Sequence, residues 1–370
     1  MMMQSKKKSI WTRLHVDPLF LFFTLLLLVY SVCIIWSASG QDIAMTERKV
    51  IQILLGIATM LILAQFPPRL YEKWAPYFYI ICIIFLVVVD AFGDSSKGAQ
   101  RWLNLGFMRF QPSELAKIAV PLMVAKFINQ EGCPPSLKTT LQTLAIIAVP
   151  TLLVAMQPDL GTAILVAMSG IFIIFLAGIS WKFIIAATLS IGAFIPIMWY
   201  FLMHDYQRER VLTLFNPERD PLGKGYHILQ SKTAIGSGGL WGKGWLKGTQ
   251  SQLEFIPERH TDFIFSVIAE EFGFVGAIVL LVLFLCLIAR GLVIASQSQS
   301  TFGRVLIGGL ILVLFIYVFI NIGMVSGILP VVGVPLPLIS YGGSSLVVLM
   351  AGFGIMMSIH THRNMLSKNI

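Results

Sequence analysis

Charge is what this chain has least of. Only 12% of its 370 residues are Asp, Glu, Lys or Arg, while 56% are hydrophobic. That leaves too little polar surface to clothe a soluble domain of this length. A mean hydropathy of +0.82 is that of a polytopic membrane protein. Cysteine is also scarce. Cys33, Cys82, Cys133 and Cys286 show no CxxC or Cys/His spacing, so neither a disulfide framework nor a zinc site is expected. The sequence holds no GxxxxGK[ST], no HExxH and no GxGxxG, so nothing in it reads as a phosphate loop, a zinc-protease helix or a dinucleotide fold. Internal repeats and low-complexity tracts are lacking too. The net charge of +9 has no basic soluble domain to carry it, which argues against nucleic acid as a partner.

Long apolar runs are what remain. Ten are long enough to cross a bilayer, at 18–37, 49–66, 75–92, 112–129, 141–157, 160–178, 182–202, 264–289, 304–326 and 340–360. The first follows Lys6–Lys8 and Arg13. It is longer than a signal-peptide core and no A-x-A-like site follows it, so it is expected to be retained. An even number of spans puts both termini on one side. Basic residues near both ends, and in short loops holding Arg69, Lys73, Lys126, Lys138, Lys182, Arg290 and Arg304, make that side cytoplasmic. The fold class expected is an all-α polytopic membrane protein with about ten transmembrane helices. Residues 1–370 form one transmembrane domain, with one large extracytoplasmic loop at about 203–263. That loop carries eight Lys/Arg and seven Asp/Glu, against the positive-inside rule. An anionic ligand is the simplest reason. Within it, YQRERVLTLF reads either as an amphipathic piece on the membrane surface or as ordinary loop packing. GSGG at 236–239 reads as a flexible turn.

Ionisable residues in or beside spans are functional candidates by default, and here they share the outer side. Arg48 and Lys49 open the second span. Lys97, Arg101 and Arg109 lie in the second outer loop. Glu114 and Lys117, at i and i+3, share a helix face and can pair. Asp159 joins the fifth and sixth spans. A structural ion-pair network would use Glu114, Lys117 and Asp159 equally well. Glu270 and Glu271 lie about 12 Å into the eighth span at 1.5 Å per residue. The prolines of 327–344 forbid a continuous helix there.

Asp262 stands where the polar loop meets the membrane. A carboxylate at such a join can act as a general base or cap the helix that follows. Lys224, Lys232, Lys243, Lys247 and Arg259 surround it in sequence, a cationic neighbourhood suited to phosphate. Glu258, His260 and Asp262 alternate, which would also suit a divalent cation on an extended backbone. An outward-facing enzyme without ATP needs a substrate that brings its own energy. A lipid-linked pyrophosphate does so and accounts for the cations.

These motifs resemble the SEDS family (shape, elongation, division and sporulation). The carriers are KGAQRW at 97–102, FQPSELAK at 110–117, QPDLG at 157–161, GSGG at 236–239, PERHTDF at 257–263, AEE at 269–271 and PLISYGGS at 337–344. They run in order over nearly the whole chain, and the nearest likeness is to the rod-shape branch. The resemblance implies a peptidoglycan glycosyltransferase of the bacterial inner membrane, acting during elongation. It would polymerise lipid II with its active site facing the periplasm. The implied partner is a class B penicillin-binding protein, the crosslinking transpeptidase. Asp262 matches the family's essential aspartate. Arg48, Lys49, Lys97, Arg101, Arg109, Glu114, Lys117, Asp159, Lys243 and Ser344 are the residues expected to bind substrate. No cofactor is expected with certainty, and a divalent cation can share the work of the cations. The alternative is a lipid II flippase. A flippase needs a polar path through the bilayer, and the inner halves of these spans are nearly free of ionisable residues.

Overall fold

The computed structural model describes residues 14–96, 99–104, 109–203, 205–215, 224–253, 255–256 and 258–362. Among the described residues thirteen α-helices follow one another: α1 Pro18–Ala38, α2 Ile43–Gln65, α3 Pro68–Phe92, α4 Pro112–Glu131, α5 Leu137–Met156, α6 Leu160–Leu176, α7 Trp181–Ile197, which runs on into a π-helical turn at Met198–Leu202, α8 Asp205–Phe215, α9 Lys224–Gly238, α10 Thr249–Gln252, α11 Ile264–Ser296, α12 Thr301–Val325 and α13 Gly343–Thr361. Helices stand at all ten apolar runs. Among the described residues, six of them are long and apolar enough to cross a membrane: α1, α3, α5, α11, α12 and α13. The shorter α6 is also apolar.

Local signals start these helices. Asp17, Asp42, Ser136, Asp159 and Ser300 cap α1, α2, α5, α6 and α12 by accepting from first-turn amides. Proline opens α1, α3 and α4, where its missing N–H is no loss. The all-α expectation needs one amendment. Between α3 and α4 the chain forms three short antiparallel strands, β1 Asp94–Ser96, β2 Ala99–Asn104 and β3 Arg109–Phe110.

In the segment at 203–263 the chain also folds more than expected. YQRERVLTLF is helical within α8, and GSG closes the last turn of α9 instead of forming a turn of its own. From Gly239 the chain runs into a break in α11. Gly273 has φ +64° and ψ −161°, a conformation that only glycine adopts readily. The break frees backbone groups that a membrane helix must satisfy internally. The 239–244 segment does so. Lys243 N donates to Glu270 O (3.0 Å) and Gly244 N to Glu271 O (2.9 Å). Phe274 N and Val275 N donate to Gly239 O (2.9 Å) and Leu240 O (3.1 Å).

The two span carboxylates belong to the same join. Glu270 pairs with Lys243 Nζ at 2.8 Å and accepts from the amides of Gln250 (2.8 Å) and Ser251 (3.0 Å) at α10. Glu271 takes the Ser37 hydroxyl at the end of α1. Both side chains are fully buried. Their depth in the span therefore reflects a broken helix sealed by its own chain.

Of the six long apolar helices, α12 and α13 are the most enclosed, with 61% and 67% of their central windows buried against 22% for α3. They pack with α2, α6 and α11 to form the core. At one end of this bundle, Asp17 caps α1 and meets Arg290 of α11 (2.6 Å) and His360 of α13 (3.5 Å). This buried polar cluster stands at the end where only short basic loops are expected from the sequence.

Candidate active site

At the opposite end, Asp262 lies just before α11. The helix's capping position falls to Phe263, which offers no capping side chain, so Asp262 is not the N-cap. Asp262 is half-buried, and its backbone is held on every side. His260 O accepts from Tyr341 N (2.8 Å), Thr261 O from Ser340 Oγ (2.6 Å), and Asp262 O from Asn321 Nδ2 (2.9 Å). Three successive carbonyls are thus tied to α12 and to the 327–342 segment. The side chain faces Gly333, where a Cβ would stand 3.4 Å from Oδ2. With Gly333 at φ +73°, a larger residue would be strained and would crowd the carboxylate.

Glu258 and His260 do not join Asp262 in a cation cage. Thr261 Oγ1 donates to the Glu258 carboxylate (3.0 Å), and the His260 ring stands edge-on to Tyr341. Among the described residues no three His, Cys, Asp or Glu side chains converge as metal ligands.

The second polar cluster is built where α4 and α6 begin. Glu114 sits in the first turn of α4, a favourable place for a carboxylate. Its Oε2 is 2.7 Å from Lys117 Nζ, and both side chains are buried. Lys117 also donates to Tyr317 Oη of α12 (3.1 Å) and lies 4.5 Å from that ring's centre. Asp159 caps α6 through Thr162 N (3.2 Å) and accepts from Gln111 Nε2 (2.9 Å). Tyr317 and Asn321 are one turn apart on α12 and share its face. The Glu114–Lys117 pair and the Asp262 backbone are therefore braced by one helix face.

The expected substrate cations part company here. Arg48 is exposed, whereas Lys49 is wholly buried. Lys49 Nζ donates to Leu338 O, Ile339 O and Ser340 O at 3.2, 3.3 and 2.8 Å, so it is not open to a ligand in this arrangement. Lys97 lies outside the described residues, and so do the side chains of Arg101 and Arg109, whose backbones are in β2 and β3. Lys243 is committed to Glu270. Ser344 is buried in the first turn of α13. Arg259 donates to Ala38 O (2.6 Å) and to Ser251 O; it ties α1 to the α10 segment. Tyr317, Asn321 and Ser340 went unnoticed as site residues. Asn321 had a signal: it is a lone amide deep in an apolar run, where a polar group needs a partner.

The comparisons with known proteins identify the family and the fold. The cell cycle protein family model FTSW_RODA_SPOVE matches residues 17–365. The chain is 69% identical over 364 residues to the peptidoglycan glycosyltransferase MrdB of Escherichia coli K12, covering 98% of each. It is 35% identical over 358 residues to a probable peptidoglycan glycosyltransferase FtsW of Geobacter sulfurreducens, covering 93% of this chain and 95% of that one. Among solved structures, a chain of a peptidoglycan synthase complex that coordinates polymerization and crosslinking superposes with a TM-score of 0.84. It is 30% identical, with 94% of this chain and 99% of that chain covered. The rod shape determining protein RodA of Thermus thermophilus superposes at 0.71 with 28% identity, covering 94% and 98%. This chain is a membrane protein of the FtsW/RodA/SpoVE family, the SEDS family that its motifs resemble.

Proposed function

We propose that this protein is an inverting peptidoglycan glycosyltransferase that polymerises lipid II into glycan strands during cell elongation. The observation that carries the reading is Asp262: a half-buried carboxylate on a triply anchored backbone, in a chain 69% identical to a named peptidoglycan glycosyltransferase. Asp262 takes the proton of the 4-hydroxyl of one lipid-linked disaccharide. The freed oxygen attacks the anomeric carbon of a second, and the bond from that carbon to the pyrophosphate breaks. The electron pair leaves with undecaprenyl pyrophosphate. An enzyme that inverts with water needs an acid as well as a base. Pyrophosphate is a good leaving group, so cations replace the acid. Exposed Arg48 suits that role, with Lys97, Arg101 and Arg109 of the 94–110 segment as its companions. Glu114, Lys117, Asp159 and Ser344 frame the site from the starts of α4, α6 and α13.

In this reading ten helices span the inner membrane, both termini are cytoplasmic, and Asp262 faces the periplasm. The likeness to a synthase complex that coordinates polymerization and crosslinking supports a class B penicillin-binding protein as partner. The sealed break in α11 favours an enzyme over a flippase, because the chain's own 239–244 segment fills the gap that Gly273 opens.

The test is polymerisation of labelled lipid II by the purified protein, alone and with its transpeptidase partner. Glycan strands are expected, with more from the complex. If no polymer forms in either case while labelled lipid II crosses protein-containing vesicles, the enzyme reading fails and transport replaces it.

A further inference from the structure

We infer that Lys49 is a positioning residue for the reaction: its ammonium is an internal cation that sets the 336–341 turn, and through that turn the Asp262 backbone. This rests on Asp262 being the general base. Lys49 sits in the first turns of α2 and is among the largest fully buried side chains. Its three contacts are consecutive carbonyls, Leu338, Ile339 and Ser340. Three acceptors use all three N–H bonds of an ammonium.

Consecutive carbonyls alternate in an extended strand, so the turn at 337–339 is what brings these three together. Leu338 supplies the bend at φ +65°, although it is not glycine. That conformation is disfavoured for a residue with a Cβ. It persists only where the surroundings impose it. Here Leu336, Leu338 and Ile339 are buried in the apolar core, and polar ties hold the carbonyls between them. The polar ties are Lys49 and the Ser31 hydroxyl, which also donates to Ile339 O (2.9 Å).

The path from this turn to the site is short. Ser340 accepts Leu336 N on its hydroxyl (2.7 Å) and donates to Thr261 O (2.6 Å). Tyr341 N takes His260 O. With Lys49 removed, the buried Leu338 and Ser340 carbonyls lose their donor, Ile339 O keeps only the Ser31 hydroxyl, and the left-handed bend loses a support. Residues 260–262 then lose two of their three anchors' geometry. A misplacement of about 1 Å at a reacting group is enough to cost roughly a hundredfold in rate.

The experiment uses the full-length protein in detergent, with Lys49→Met, Lys49→Ala and Lys49→Arg. Lipid II polymerisation and hydrogen exchange are both measured. Lys49→Met should lower kcat about a hundredfold while KM stays within about threefold. Exchange should rise in peptides covering 258–263 and 334–342 and stay unchanged in α3 and α5. Lys49→Ala should regain activity when propylammonium is added, because the small cation fills the carbonyl cage. Lys49→Arg, too bulky for the cage, should not match wild type. A raised KM with unchanged exchange would make Lys49 a substrate contact and overturn the inference. Exchange raised across the bundle, with no amine rescue, would reduce it to general stability and overturn it as well. Asp262→Asn is assayed alongside. If that variant keeps its rate, the general-base reading falls, while the exchange data still decide whether Lys49 holds the turn.

Discussion

The two ends of the helical bundle hold their polar groups in different ways. At the Asp17 end, side chains pair with side chains: Asp17 with Arg290 and His360, and His15 stacked on His362 with ring centres 4.1 Å apart. At the Asp262 end such pairs recur, in Glu114–Lys117 and Glu270–Lys243, but around Asp262 itself side chains grip backbone: Lys49 on three carbonyls, Ser340 on Thr261, Asn321 on Asp262 and Val334, Arg259 on Ala38. Left-handed non-glycine residues follow the same division. Gln41, Leu246, Glu258 and Leu338 lie towards the Asp262 end, and His15 towards the other. Backbone held out of its preferred conformations tends to mark a site where geometry matters more than stability. The difference teaches that one end is built to fasten helices and the other to fix atoms in place.

The sharpest way to break that comparison is at Asp262. Asp262→Asn keeps the shape and the three backbone anchors and removes only the base. Polymerisation should fall about a hundred- to ten-thousand-fold, with thermal stability and membrane insertion unchanged. Retention of more than a tenth of the wild-type rate, measured with labelled lipid II, would take Asp262 out of the chemistry.

The Glu114–Lys117 pair tests how far bracing and function overlap. Breaking one side of a buried pair costs about 3–5 kcal/mol, because the survivor is left uncompensated. Lys117→Met should therefore lower the melting temperature strongly. Adding Glu114→Gln should restore most of it. If activity returns with stability, the pair is a brace for Tyr317 and α12. If stability returns without activity, Lys117 or Glu114 meets substrate. Losses that simply add would show no pairing and contradict the 2.7 Å contact.

Much of this was legible in the sequence. Hydropathy alone marked runs at each of which a helix stands, six of them long and apolar enough to cross a membrane among the described residues, because a bilayer demands long apolar runs and little else competes with that signal. Proline in 327–344 correctly ruled out a helix there. Charge at i and i+3 announced the Glu114–Lys117 pair. What escaped were features set by the meeting of distant segments. Gly273 looks like any glycine in a span, and its break is visible only once 239–244 is seen to enter it. Lys49 and Arg48 are adjacent and chemically alike; which of them faces inward depends on the rotation of α2 against α13. The Asp17 cluster joins residues some 270 and 340 positions apart, beyond the reach of any local pattern.

The smallest effect is expected at Asp17, and it concerns pH. Burial alone would push this carboxyl up. Hydrogen bonds from His360, Arg290 and the Phe20 amide, and the Arg290 charge, outweigh burial and hold it well below its ordinary 3.8. The folded state therefore binds fewer protons than the unfolded state just below that value. The contribution is present in full above about 3.8 and drains away as pH falls further. Asp17→Asn keeps a side-chain cap for Phe20 but loses the charge facing Arg290, at a cost of about 1–2 kcal/mol. The melting temperatures of wild type and Asp17→Asn in detergent should differ by a constant amount from pH 7 to about 4.5 and converge below 4. Polymerisation at neutral pH should be unchanged within about twofold, since Asp17 lies at the end of the bundle opposite Asp262. A difference that persists undiminished at pH 3 would mean that Asp17 is not held ionised by its partners. A large loss of kcat would mean that the two ends are coupled, and the division between them would have to be abandoned.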